Sequence, residues 1–220
     1  MRPRRDSGPS LPFVRHFLES LVSLIAPDVC AGCDARTPVM TVFCPDCART
    51  LVPAPATRDG VIAPFVYGGA LAKAIGSFKY DPRVDRARPL SHLLLGALAP
   101  LRRDPPTHVV PVPLHPSRAA LRGFNQSALL AAPVARSLKA RFAPTALART
   151  RDTAPQASLG RDTRLRNLDH AFVARAPLRG ARVLLVDDVR TTGATLDACA
   201  AVLRDAGADD VRSLVLARTE

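Results

Sequence analysis

Tryptophan is absent from this chain of 220 residues, and aromatic residues of all kinds make up 5% of it. That scarcity limits the flat surfaces on which successive nucleobases could stack. Phe78, Tyr80 and Phe124 are the exceptions to follow, because they lie beside basic residues. Also lacking is any apolar run approaching the eighteen or more residues of a membrane span. The stretch 11–26 follows a basic start and contains Leu21, Val22, Leu24 and Ile25, but Arg15, His16 and Glu19 interrupt it, which argues against a signal-peptide core. It reads as a short amphipathic helix, with Phe13, Phe17, Leu18, Leu21, Leu24 and Ile25 mostly on one side. That face either packs on the rest of the chain or docks on a membrane surface. The expected location is cytoplasmic, with peripheral attachment at the inner membrane as the docked form.

Acidic residues are in deficit. Lys and Arg together number 31 against 19 Asp and Glu, a formal charge of +12, and the sequence pI is about 10.8. Such a balance favours polyanionic partners, either nucleic acid or multiply phosphorylated ligands. Arg greatly outnumbers Lys, and Ala and Pro are abundant, so part of the charge reflects base composition rather than binding.

What the chain does have is concentrated in the run 183–196, VLLVDDVRTTGATL. Val183, Leu184, Leu185 and Val186 form a solid apolar stretch, as in a parallel strand covered on both faces. Polarity switches at Asp187, so two carboxylates are expected at the strand's C-terminal end, with Asp188, Thr191, Thr192 and Gly193 carrying a tight turn. Leu196, Cys199, Ala200 and Leu203 then recur at helical spacing. Amides at the start of that helix lack intrahelical acceptors, so Thr191, Thr192, Gly193, Ala194 and Thr195 offer N–H groups, hydroxyls and a favourable dipole to a phosphate. A nucleoside-triphosphate loop would need Lys after its last Gly, and here Ala194 follows Gly193. Paired acids beside a phosphate cradle suit a ligand with hydroxyls or a divalent cation next to its phosphate, as in ribose 5-phosphate.

Cys30, Cys33, Cys44 and Cys47 make two CxxC pairs separated by ten residues. Four clustered thiols can close a tetrahedral shell around one ion, which suits structural zinc in a ribbon. Two disulfides or an iron–sulfur centre are the alternatives. Cys199 reads as a small buried apolar residue on its helix.

Between these landmarks, 61–67 reads as a first strand, 70–79 and 88–101 as helices and 108–112 as the next strand. A basic loop carrying PVPLHPSR and RGFNQ leads into a helix over 127–139, and 211–217 supplies the final strand. Arg118, Arg122, Asn125 and Gln126 fall where open α/β sheets bind ligands. The Arg-rich segment 149–166, with Gln156, Leu159, Arg161 and Arg164, reads as a loop and short helix; Arg166, Asn167 and Phe172 precede another strand. The fold expected is α/β, a mainly parallel sheet flanked by helices. Residues 1–26 are an N-terminal tail and helix, 27–55 a zinc ribbon and 56–220 the α/β domain.

The run 183–196 resembles the phosphoribosyl-diphosphate motif of type I phosphoribosyltransferases: four hydrophobic residues, two acids, then Thr-Thr-Gly and a further Thr. Taken with the CxxC pairs, FKY, PVPLHPSR, RGFNQ and the segment 156–172, it makes nearly all of the chain from Cys30 onward resemble the ComF family of competence-associated, phosphoribosyltransferase-like proteins. The resemblance implies a type I phosphoribosyltransferase-like fold. It also implies that Asp187 and Asp188 engage the ribose hydroxyls, directly or through Mg²⁺, and that Thr191, Thr192, Gly193, Ala194 and Thr195 hold the 5-phosphate. Lys79, Arg118, Arg122, Asn125 and Gln126 are expected to contact diphosphate or DNA. Phosphoribosyl diphosphate with Mg²⁺, and incoming single-stranded DNA in natural transformation, are the implied ligands. An active transferase acting on an unidentified base or amine is one alternative. Another is a zinc-ribbon module docking a competence helicase or channel protein, with a vestigial site. No general base stands out, and His115 is a conceivable one.

Overall fold

Four consecutive apolar residues, Val183 to Val186, are each fully buried, and the strand they seed is the middle of a parallel sheet. The structure is a computed structural model that describes residues 29–38, 41–57, 59–80, 83–151 and 171–219. The expected helix over 11–26 and the residues Gln156, Leu159, Arg161, Arg164, Arg166 and Asn167 lie outside the described residues. In chain order the elements are α1 (Pro45–Ala48), β1 (Val61–Ile62), β2 (Phe65–Val66), α2 (Gly69–Tyr80), α3 (Ala87–Gly96), β3 (His108–Pro111), α4 (Pro116–Arg122) and α5 (Gln126–Leu138). There follow β4 (Arg141–Phe142), β5 (Leu147–Arg149), β6 (Phe172–Ala174), β7 (Arg182–Arg190), α6 (Ala194–Asp205) and β8 (Asp210–Arg218). The main sheet runs β1-β8-β7-β3-β4, with β2 also on β8, and every pairing in it is parallel. β5 and β6 form a separate antiparallel pair.

Alternation along β7 divides the core in two. Leu184 and Val186 face one side, where Leu71, Ile75 and Phe78 of α2, Leu90 and Leu94 of α3, and Leu130 and Val134 of α5 cover them. Val183 and Leu185 face the other, against Leu196, Cys199 and Leu203 of α6 and Leu147 and Phe172 of the antiparallel pair. Both faces are thus sealed, as an all-parallel sheet requires. Phe78 is completely buried, and Phe124 packs on it with ring centroids 5.6 Å apart. Neither ring is therefore a free stacking surface.

The four-cysteine segment is seated on this core rather than beside it. Cys30, Ala31 and Phe43 belong to the same apolar cluster as Leu71 and Ile75. A Cβ on Gly32 would come within 2.8 Å of the Ala70 Cβ and 3.1 Å of the Cys47 sulfur, so only glycine lets the knuckle meet α2. Arg86, 2% exposed, clamps the segment by donating to the Cys30 carbonyl at 3.0 Å and to Asp34 at 2.6 Å.

Three local features depart from the sequence reading. Pro64 divides the expected strand 61–67 into β1 and β2, which pair with successive stretches of β8. The expected helix 88–101 stops at Gly96 and resumes as a 3₁₀ turn over Ala99–Leu101. Within the basic loop, Pro116 opens the short helix α4, His115 caps it by accepting the Ser117 amide, and Gly123 closes it at φ 78°.

Candidate functional site

The acids owe their position to a mismatch in strand length. β3 ends at Pro111, opposite Val186, and the last bond on that flank runs from the Val112 amide to the Val186 carbonyl at 2.9 Å. β8 continues further, pairing Asp187 with Val215 and Arg190 with Arg218. The strand therefore does not turn after Asp188, as the polarity switch predicts, but runs on to Arg190 with one flank uncovered. Asp187 and Asp188 stand on this last stretch, past the carboxyl end of β3, where open α/β sheets bind ligands.

Each acid is fixed by a named partner. Ser127, in the first turn of α5, donates its hydroxyl to Asp187 Oδ1 at 2.7 Å, and the Asp188 amide donates to the same oxygen at 2.9 Å. Lys79 Nζ lies 2.8 Å from Asp188 Oδ1. Asp188 is 3% exposed, and its Oδ2 is buried without a hydrogen-bond partner. Burial and the neighbouring Asp188 charge push the Asp187 carboxyl up to about 7, with the Ser127 hydroxyl and Lys79 pulling the other way. Burial of Lys79 would lower its pKa, but the Asp188 carboxylate overrides this and holds the ammonium above its ordinary value.

A cleft of about 600 Å³ opens over these groups. Of the residues expected from sequence, Asp187, Asp188, Thr191, Thr195, Lys79, Arg118, Arg122 and Gln126 line it. Thr192, Gly193 and Ala194 form the turn into α6, which begins with Gly193 at φ 84° and no side-chain cap. A Cβ at Gly193 would stand 3.1 Å from Arg190 Nε. Asn125 lies behind the wall: its Nδ2 donates to the Val112 carbonyl at 3.1 Å and its Oδ1 accepts the Ser127 amide at 3.0 Å. It caps α5 and so sets the residue that holds Asp187. His115 caps α4 and is absent from the cleft lining. The sequence reading missed Ser127, Tyr67 and Leu121, which also line the cleft, as does Arg149, the first residue of the Arg-rich segment 149–166. Of the three missed, Tyr67 alone carried a signal, as one of two tyrosines in the chain.

At the other landmark, the sulfurs of Cys30, Cys33, Cys44 and Cys47 all lie within 4.8 Å of one another, with Cys33 and Cys44 3.7 Å apart. Four thiolates at about 2.3 Å from a tetrahedral ion stand about 3.8 Å apart, so the cluster has the dimensions of a closed four-sulfur site. No disulfide joins them. Burial opposes ionisation of Cys30, but amides of Cys44 at 3.3 Å and Gly32 at 3.4 Å donate to its sulfur and bring its pKa to about 6. Burial and the neighbouring sulfurs raise that of Cys47. An all-thiolate donor set of this shape suits zinc. Among the described residues no helix is long and apolar enough to cross a membrane.

The phosphoribosyl transferase domain family matches residues 125–220, which span α5, both acids and the 191–195 turn. The DNA utilization protein YhgH of Escherichia coli (strain K12) is 35% identical over 207 residues, covering 87% of this chain and 90% of that one. Competence protein F of Haemophilus influenzae is 30% identical over 196 residues, covering 86% and 84%. Among solved structures, a purine phosphoribosyltransferase from Pyrococcus horikoshii is similar over 60% of this chain and 82% of that chain, with 15% identity and a TM-score of 0.39. On the length and level of the match to YhgH, the chain belongs to the ComF/YhgH family, here with a phosphoribosyltransferase domain and a four-cysteine cluster near the N-terminus.

Proposed function

We propose that the cleft binds phosphoribosyl diphosphate, and that the protein uses this site in handling incoming single-stranded DNA during competence. The observation that carries the reading is Asp188 Oδ2, a buried acceptor without a partner, beside the half-open carboxyl of Asp187. Ribose hydroxyls or a Mg²⁺ ion fit such a pair, and Asp187 and Asp188 would hold either. Mg²⁺, when bound, supplies charge neutralisation for the diphosphate. Thr191, Thr192, Gly193, Ala194 and Thr195 offer hydroxyls and first-turn amides to the 5-phosphate. Lys79, Arg118 and Arg122 compensate the remaining negative charge, Gln126 holds Arg122 at 2.7 Å, and Asn125 acts through Ser127.

Zinc on Cys30, Cys33, Cys44 and Cys47 would be structural, since four protein sulfurs leave no open position. In this reading 27–55 are the zinc ribbon and 56–220 the phosphoribosyltransferase-like domain, working on the cytoplasmic side. The DNA role is drawn from the names of the relatives, a DNA utilization protein and a competence protein, and from the charge of +12. Active transfer of the phosphoribosyl group is the second reading, favoured by two adjacent carboxyls lining one cleft, of which Asp187 is pushed toward its protonated form by burial and the Asp188 charge. Calorimetry with phosphoribosyl diphosphate and Mg²⁺, followed by competition with single-stranded oligonucleotides across a salt series, tests the assignment. Saturable binding that Asp187→Asn and Asp188→Asn abolish is expected, with oligonucleotide binding that weakens steeply with salt. An absent or variant-insensitive response overturns it.

A further inference from the structure

The helix α2 joins the cysteine segment to the cleft. At its start, Gly69 takes φ 52° against Thr50, and the Thr50 hydroxyl accepts the Ala70 amide at 2.9 Å. The same hydroxyl donates to the Cys47 carbonyl at 2.8 Å, so the second cysteine knuckle caps α2. Gly32 of the first knuckle lies against Ala70, with no room for a side chain between them. Beyond the other end of α2 comes a 3₁₀ turn, Val84–Arg86, and it too is held by the cysteine segment. Arg86 donates to the Cys30 carbonyl and to Asp34, and Arg83 reaches Asp34 at 3.1 Å. The helix bracketed in this way carries Lys79 in its last turn, and Lys79 is the ammonium that lies 2.8 Å from Asp188. Among the described residues, none of the cysteine segment lines the cleft, so the link between the two runs through α2.

We propose that the cysteine module regulates the cleft through α2: with zinc bound it holds Lys79 on Asp188, and loss of zinc releases Lys79 and weakens the binding of phosphoribosyl diphosphate. The inference rests on the reading above, in which the acids take the ribose and Lys79 compensates the charge of the diphosphate. The two arrangements differ in named contacts. When the four sulfurs share one ion, the knuckles are pinned together, and Cys30, Ala31 and Phe43 stay in the core beside Leu71 and Ile75. Without the ion no covalent link joins the knuckles, and their seat on the core is weakened. Arg86, 2% exposed, keeps its acceptors on Cys30 and Asp34 only while that segment is seated. A buried guanidinium that loses its acceptors moves toward water, and it draws with it the stretch of chain that follows Lys79. Coupling of this kind is reciprocal, so a ligand that favours the seated arrangement tightens zinc by the same factor.

The test uses the full chain loaded with zinc. Zinc affinity, read by competition with a coloured chelator, should rise about tenfold in saturating phosphoribosyl diphosphate and Mg²⁺, within the range usual for coupled sites. Asp34→Asn and Thr50→Val keep all four sulfurs and lie outside the cleft, and Asn tolerates the φ of 61° at position 34. With zinc still bound, each should weaken phosphoribosyl diphosphate in calorimetry by about fivefold or more. Thr50→Ser keeps the hydroxyl that caps α2 and should bind as wild type does. Leu178→Ala opens a cavity in the core on the other face of the sheet. It should lower the melting temperature and leave the ligand affinity as it is, which separates coupling from a general loss of stability. Three results overturn the coupling while phosphoribosyl diphosphate still binds: a zinc affinity indifferent to the ligand, wild-type ligand affinity in both Asp34→Asn and Thr50→Val, or an equal loss in Leu178→Ala. Failure of the zinc-loaded wild type to bind phosphoribosyl diphosphate overturns the ribose-phosphate reading itself, and the coupling falls with it.

Discussion

Replacing Asp187 with Asn should stabilise the ligand-free protein at pH 8 while destroying its ribose site. The carboxyl is held at about 7 in the fold, against 3.8 for a free aspartate, because burial and the Asp188 charge disfavour ionisation. A carboxyl with a raised folded pKa contributes stability that is fully present below about 3.8 and is lost as pH climbs through about 7. The slope inside that window is about 1.4 kcal/mol per pH unit, which accumulates to a cost on the order of 4 kcal/mol above it. Water reaching an open cleft screens part of this, leaving about 1–2 kcal/mol recoverable. For a chain of this size that is roughly 2–8 °C in melting temperature. Asn keeps an oxygen for the Ser127 hydroxyl and the Asp188 amide, so the bonds at 2.7 and 2.9 Å need not be lost. Thermal melts at pH 8 and pH 5, at equal ionic strength and without ligand, read the difference. The gain should be present at pH 8 and shrink at pH 5, where the wild-type carboxyl is protonated and resembles the amide. A variant less stable than wild type at pH 8, or a gain independent of pH, would refute the reasoning.

Lys79→Met strips the counter-ion from a carboxylate that is 3% exposed. It should cost about 3 kcal/mol in urea unfolding at pH 8, and adding Asp188→Asn should restore much of that. Gly193→Ala forces a side chain onto φ 84° and within 3.1 Å of Arg190. A loss of about 1–2 kcal/mol in the same assay is expected. Metal analysis should find about one zinc per chain, and chelation should lower the melting temperature of the whole protein, because Cys30 and Phe43 share the core of α2 and α3. Metal-free protein with an unchanged melt would contradict that link.

Much of the site was legible because its parts are local. The apolar run 183–186, the two acids and the 191–195 turn are contiguous, so one strand and one helix start bring them together whatever the rest of the chain does. The cysteine pairs are legible for the same reason. What the sequence withheld depends on other elements. β7 runs past Asp188 because β8 still pairs with it out to Arg218, a fact about β8. Ser127 reaches Asp187 and Lys79 reaches Asp188 only once α5 and α2 are laid against the sheet. Phe78 and Tyr80 are neighbours in basic surroundings, yet the first is wholly buried and the second 78% exposed. The final turn of α2 puts them on opposite sides, and composition carries no trace of that. Asn125 looked like a ligand contact because it sits in a basic loop, where the fold uses it as a helix cap.

The most direct measurement is a calorimetric titration of the wild-type chain and of Asp188→Asn with phosphoribosyl diphosphate, with and without Mg²⁺. The account predicts saturable binding by wild type and its loss in the variant, since the amide cannot replace the buried acceptor that Asp188 Oδ2 presents. Equal binding by both proteins, or none by the wild type, would contradict it.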